Sequence, residues 1–83
     1  MRILYFAWVR QRTGVGEEEV EIPAGLKTVA DLVEWLKGRN EAFGHAFSEL
    51  KVVRAAVDQE HVPFTHPLKG AREIAFFPPV TGG

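Results

Sequence analysis

Gly82 and Gly83 close the sequence, and the carboxylate behind them is the group in this chain best suited to chemistry. A carboxylate is inert toward acyl transfer at neutral pH until its oxygen becomes a leaving group. Adenylation with ATP achieves this, and a second nucleophile then displaces AMP. Glycine at both final positions suits a carboxylate that must enter a narrow site, because backbone without Cβ approaches closely and takes almost any φ and ψ. Glycines at a loose chain end are common in themselves. Here they follow the stiff pair Pro78-Pro79, which tips the balance toward a presented carboxylate. Prolines offer no N–H to a sheet and bias the preceding residue toward extended geometry. Phe76-Phe77 therefore reads as a strand end, and Pro78, Pro79, Val80 and Thr81 as an extended lead to Gly82-Gly83. The six residues after Phe77 reach roughly 20 Å when fully extended.

No other constellation competes. His45, His61 and His66 lack ligand-like spacing, and a chain without cysteine has no thiolate metal site, disulfide or cysteine nucleophile. Thr13-Gly14-Val15-Gly16 is too short for a phosphate loop and precedes a strand rather than a helix. Asp31, Glu34, Asp58 and Glu60 show no pairing, and Glu17-Glu18-Glu19 reads as a solvated hairpin shoulder. We expect no metal site, no bound cofactor and no self-contained enzyme. ATP must bind to a partner, and any sulfur the chain carries must sit on its terminal carbonyl.

Length and composition bound the rest. Eighty-three residues, 46% hydrophobic and 25% charged, make one globular domain (1–77) with the tail at 78–83. A net charge of -1 gives no basic field for nucleic acid or a membrane surface. Ile3 to Val9 is too short to span a membrane, and Val9-Arg10-Gln11-Arg12 offers no signal cleavage site. A cytoplasmic protein is expected.

The elements that must position the tail follow from periodicity. Ile3 to Val9 is apolar on both parities and reads as an interior strand, with Leu4, Phe6 and Trp8 on one side and Ile3, Tyr5, Ala7 and Val9 on the other. Glu17 to Ile22 reads as its edge hairpin partner. Thr28 is an N-cap with Asp31 as capping-box acid, and Val29, Leu32, Val33 and Leu36 form one helical stripe ending near Gly38. Ala42 to Leu50 suggests a short second helix. Lys51 to Val57 reads as a strand, and Asp58-Gln59-Glu60 as a turn. His61 to Phe64 is an edge piece, and Arg72 to Phe77 the last strand. The expected fold is α+β, one main helix plus a short one across a mixed sheet of four to five strands. The first and last strands, being the most apolar, should be parallel neighbours. The helix covers one sheet face only. On parity Phe6 and Phe77 fall on the open face, where aromatics mark a binding surface unless the segment Ala42–Leu50 folds over them.

Three stretches carry a resemblance: Leu4-Tyr5-Phe6-Ala7-Trp8-Val9-Arg10, Ala55-Ala56-Val57-Asp58-Gln59, and the close from Glu73 to Gly83. The chain resembles, over essentially its whole length, the small subunits of molybdopterin synthase, which are β-grasp, ubiquitin-like sulfur carriers. The resemblance implies that Gly83 is adenylated by an E1-like enzyme using ATP and Mg, and is converted to a thiocarboxylate by a sulfur donor protein. The tail then inserts into the large subunit of a heterotetrameric synthase and delivers sulfur to cyclic pyranopterin monophosphate. It implies further that Phe6, His61 and Phe77 face the partner. Asp58 stands where the family usually has Asn, His61 where an apolar residue is common, and Gly70-Ala71-Arg72 replaces the usual Gly-Asp. The alternatives are the carrier of the thiamine pathway, typically shorter and without the Phe-Phe-Pro-Pro run, and a ubiquitin-like protein modifier. An interaction module with an incidental tail is the blandest class.

Overall fold

The last strand, β5 (Glu73–Phe77), alternates buried and half-buried residues along its length, and the rest of the sheet is built around it. The computed structural model describes residues 1–79; Val80, Thr81, Gly82 and Gly83 lie outside the described residues. One neighbour of β5 is β1 (Arg2–Tyr5), parallel as expected, with Ile3 opposite Ile74 and Tyr5 opposite Phe76. The other is β3 (Arg54–Val57), antiparallel, with Ala55 opposite Phe76 and Val57 opposite Ile74. The edges are β2 (Glu17–Glu19) beside β1 and β4 (Glu60–Val62) beside β3, giving the order β2-β1-β5-β3-β4. Ile3, Tyr5, Ile74 and Phe76, at most 1% exposed, form the inner face.

Helix α2 (Val29–Lys37) covers that face because its stripe Val29, Leu32, Val33 and Leu36 is wholly buried. Each such side chain contributes about 1.5–3 kcal/mol when removed from water. The expected capping box closes its start: Asp31 N–H donates to Thr28 Oγ1 at 3.2 Å, and Thr28 N–H donates to Asp31 Oδ2 at 3.2 Å. Gly38 ends the helix with right-handed φ (−79°), so no left-handed cap is used there. The short helix α3 (Glu41–Ala46) starts at Asn40, whose Oδ1 accepts from Phe43 N–H at 3.0 Å. Phe43 and Phe47 pack edge-on against Tyr5, at 5.7 and 6.4 Å between ring centres. The segment Ala42–Leu50 thus lies on the same side as α2 and leaves the other sheet face open.

Three expectations require correction. The run from Ile3 to Val9 is not one strand: β1 stops at Tyr5 and a third helix, α1 (Ala7–Thr13), follows. Phe6 is extended, Ala7 takes a left-handed φ of 52°, and Val9 and Thr13, one helical turn apart, are buried. Gly14 ends α1 at φ 80°, donating its N–H to Arg10 O at 2.9 Å, a conformation that favours glycine. Val9 therefore reaches the core from a helix, and Trp8 sits half-buried beneath the Arg12 guanidinium, 4.5 Å away. The second strand spans Glu17–Glu19 and does not extend to Ile22, although Val20 N–H still donates to Met1 O at 2.8 Å. Residues Leu50–Val52 form a 3₁₀ turn, so β3 begins only at Arg54.

Candidate functional site

The open face is fixed by the same alternation that builds the core. Because Ile74 and Phe76 point inward, Ala75 and Phe77 point outward, with Ala75 between its ladder partners Leu4 of β1 and Ala56 of β3. Phe6 is 48% exposed, and its N–H donates to Phe76 O at 3.0 Å, which pins it beside the end of β5. His61, on edge strand β4, is exposed and tilts against Phe77 with ring centres 5.0 Å apart. Phe77 is half-buried, as are Pro78 and Pro79, which follow the strand without joining the ladder. Of the nine site residues expected from sequence, Phe6, His61, Phe77, Pro78 and Pro79 thus lie around the exit of β5. Val80, Thr81, Gly82 and Gly83 fall outside the described residues.

Sequence reasoning missed two members of this face. Ala56 is its small-residue floor, opposite both Ala75 and His61, and Arg54 stands opposite Phe77. The alternation of β3 against β5 carries that information once the register is known, but a register follows from the whole sheet.

The floor is anchored at its far end by Asp58. Its Oδ1 accepts from Arg72 N–H and Glu73 N–H, both at 3.0 Å, tying the β3–β4 turn to the start of β5. An amide oxygen accepts the same two bonds, so Asp in place of Asn keeps this anchor. The turn places Asp58 and Gln59 at φ 48° and 72°, the mirror-image conformation that matches the twist of a two-residue hairpin.

Behind the face, a polar triad braces β1 against β2 and the end of α2. Tyr5 Oη donates to Glu18 Oε2 at 2.8 Å, and Arg39 forks onto both Glu18 oxygens at 2.8 and 3.0 Å. Arg39 also lies over the Phe43 ring at 4.7 Å. The Arg39 hydrogen bonds hold the Glu18 carboxyl below the usual carboxylate range, against burial and with help from the Tyr5 hydroxyl. Burial, then Glu18, pushes the Tyr5 hydroxyl far up, so it remains a neutral donor. The triad is a brace, since the Tyr5 hydroxyl, both Glu18 oxygens and both Arg39 Nη atoms serve other members.

The face offers aromatic surface and a chain exit, with no nucleophile–base pair among its described residues. Among the described residues no three or more His, Cys, Asp or Glu side chains gather as metal ligands, and no helix is long and apolar enough to cross a membrane.

Known proteins are similar to this chain in sequence and in fold. The ThiS family model matches residues 3–83. The chain is 40% identical to the molybdopterin synthase sulfur carrier subunit of Escherichia coli (strain K12), covering 100% of this chain and 99% of that protein. A structure described as a putative molybdopterin converting factor, subunit 1, from Pyrococcus furiosus superposes with a TM-score of 0.73 at 35% identity, over 95% of each chain. The crystal structure of SAMP1 from Haloferax volcanii superposes with a TM-score of 0.75 at 24% identity, covering 100% of this chain and 98% of that one, a likeness of fold.

Proposed function

The chain belongs to the ThiS family, and from that premise we propose that it is the sulfur-carrier subunit of a molybdopterin synthase. Gly83 is its working residue, and Gly82 lets the backbone pass through a narrow channel. An E1-like partner supplies ATP and Mg; the Gly83 carboxylate oxygen attacks the α-phosphate of ATP and pyrophosphate leaves. Sulfur released from a donor protein at the sulfide level then displaces AMP at the carbonyl carbon, leaving a thiocarboxylate. The tail carries this sulfur into the large subunit, where cyclic pyranopterin monophosphate receives it in molybdenum cofactor biosynthesis. The chain itself binds no cofactor and contributes no catalytic base, and its place of work is the cytoplasm. Phe6, His61 and Phe77 form the surface that partners grip, and Pro78, Pro79, Val80 and Thr81 are the tail residues that bind the partner receiving it.

The observation that carries this reading is the single strand β5, which puts a half-buried phenylalanine on the outward sheet face immediately before a proline pair. The test is mass spectrometry after incubation with the activating enzyme, ATP and a sulfur donor. The expected product gains the mass by which sulfur exceeds oxygen, localised to Gly83, and a chain lacking Gly83 gains nothing. Appearance of the chain joined to lysines of other proteins, with no thiocarboxylate, would make it a modifier instead. An unchanged mass would leave an interaction module.

A further inference from the structure

On the open face, the position opposite Phe77 holds a cation with no anion beside it among the described residues. Arg54 is the ladder partner of Phe77 across β3 and β5. Its Nη1 donates to the carbonyls of Lys51 at 3.1 Å and Val53 at 3.3 Å. Those two bonds engage one end of the guanidinium, while its Nε and Nη2 make no hydrogen bond to another described residue. The exposed acids of β2 are engaged elsewhere, Glu17 with Arg2 at 3.0 Å and Glu19 with the Met1 amine at 3.1 Å. Among the described residues no carboxylate stands within ion-pair distance of Arg54.

In water such a guanidinium is satisfied by solvent. Directly opposed side chains on one sheet face have Cβ atoms about 4.5–5.5 Å apart, so a surface that covers Phe77 strips water from Arg54 as well. A desolvated guanidinium without an acceptor is costly, and its planar fork is best met by two oxygens in one plane. We infer that the large-subunit surface seated on Phe77 presents a carboxylate to Arg54, which makes Arg54 a determinant of partner choice. The inference rests on the proposed docking face. It adds the chemistry of the partner: an apolar recess for Phe77 with an aspartate or glutamate at its margin. Because the chain has a net charge of -1, the attraction is local to this position and not a general pull of the molecule.

The test measures binding of the full chain to the synthase large subunit by titration calorimetry at low and high salt. Arg54→Gln is expected to weaken binding about three- to tenfold at low salt and to flatten the salt dependence. Arg54→Glu should weaken it further, with part of the loss recovered as salt screens the repulsion. Phe77→Ala serves as the reference. If Phe77→Ala weakens binding while both Arg54 variants bind like the native chain, the carboxylate inference is overturned and the docking face stands. If Phe77→Ala also binds like the native chain, the docking face fails, and this inference with it.

Discussion

Phe76 and Phe77 are adjacent in β5 but point to opposite faces, so truncating each in turn separates the fold from the proposed docking surface. The Phe76 ring is wholly buried, 5.1 Å from Phe47 and 6.2 Å from Tyr5 between centres. Phe76→Ala opens a cavity beneath α3 and is expected to cost about 3–5 kcal/mol. Against a total stability of about 5–10 kcal/mol for a domain of this size, that is a third or more of the whole. Phe77 is half-buried, and its aromatic neighbour is the exposed His61. Its truncation forfeits about half the burial of a phenyl group, on the order of 1 kcal/mol. At the partner surface the order reverses: an aromatic anchor is worth about 2 kcal/mol, roughly thirtyfold in Kd. Urea unfolding followed by the fluorescence of Trp8 and Trp35 gives the first quantity, and calorimetric titration with the large subunit the second. The expected pattern is a large fall in midpoint for Phe76→Ala alone and a large rise in Kd for Phe77→Ala. If Phe77→Ala unfolds as readily as Phe76→Ala, Phe77 belongs to the core and the face assignment is wrong.

Two further outcomes concern the frame. The Glu18 carboxyl is held below its ordinary range in the folded chain, so its contribution is present above the unfolded carboxylate value and is lost as pH falls through the folded one. Glu18→Gln should therefore be less stable than the native chain at neutral pH and lose less on acidification; parallel stability–pH curves would contradict the bracing role of the triad. In the β3–β4 turn, Gln59 holds a left-handed φ of 72°, so Gln59→Gly is expected to raise stability by up to about 1 kcal/mol. A lower urea midpoint would show that the Gln59 side chain contributes more than its backbone costs.

What was legible in the sequence tracks how local each determinant is. Helix α2 announces itself because its stripe and both members of its capping box lie within nine residues of each other. The last strand and its parallel pairing follow from apolar alternation and from the helix lying between the paired strands. Helix α1 was hidden because a continuous apolar run fits a buried strand as well as a helix start. What separates the two is the left-handed Ala7, and alanine carries no mark of that conformation. The one local signal was Gly14 just after Arg10 and Arg12, a glycine C-cap behind a basic last turn. The Tyr5–Glu18–Arg39 triad joins three separate elements, and Arg54 gains meaning only beside Phe77; spacing along the chain reveals neither.

The sheet also couples the proposed docking face to the tail. A slip of β5 by one residue would put Phe76 into water and Phe77 into the core, and ladders on both sides of the strand oppose it. On the proposed reading, a partner that grips Phe77 holds the root of the tail in a fixed register, and the number of residues beyond it sets the greatest reach. Inserting one glycine between Phe77 and Pro78 tests this, since it lengthens the tail by about 3.3 Å and leaves β5 and the open face untouched. Binding to the large subunit and thermal unfolding should be preserved, and adenylation should survive wherever the activating site tolerates the extra length. Sulfur transfer to the pterin substrate, which needs the carbonyl placed within bonding distance, should fall steeply. Full transfer from the lengthened chain would mean that the tail finds its site without help from the strand, and that Phe77 anchors the complex but does not aim it.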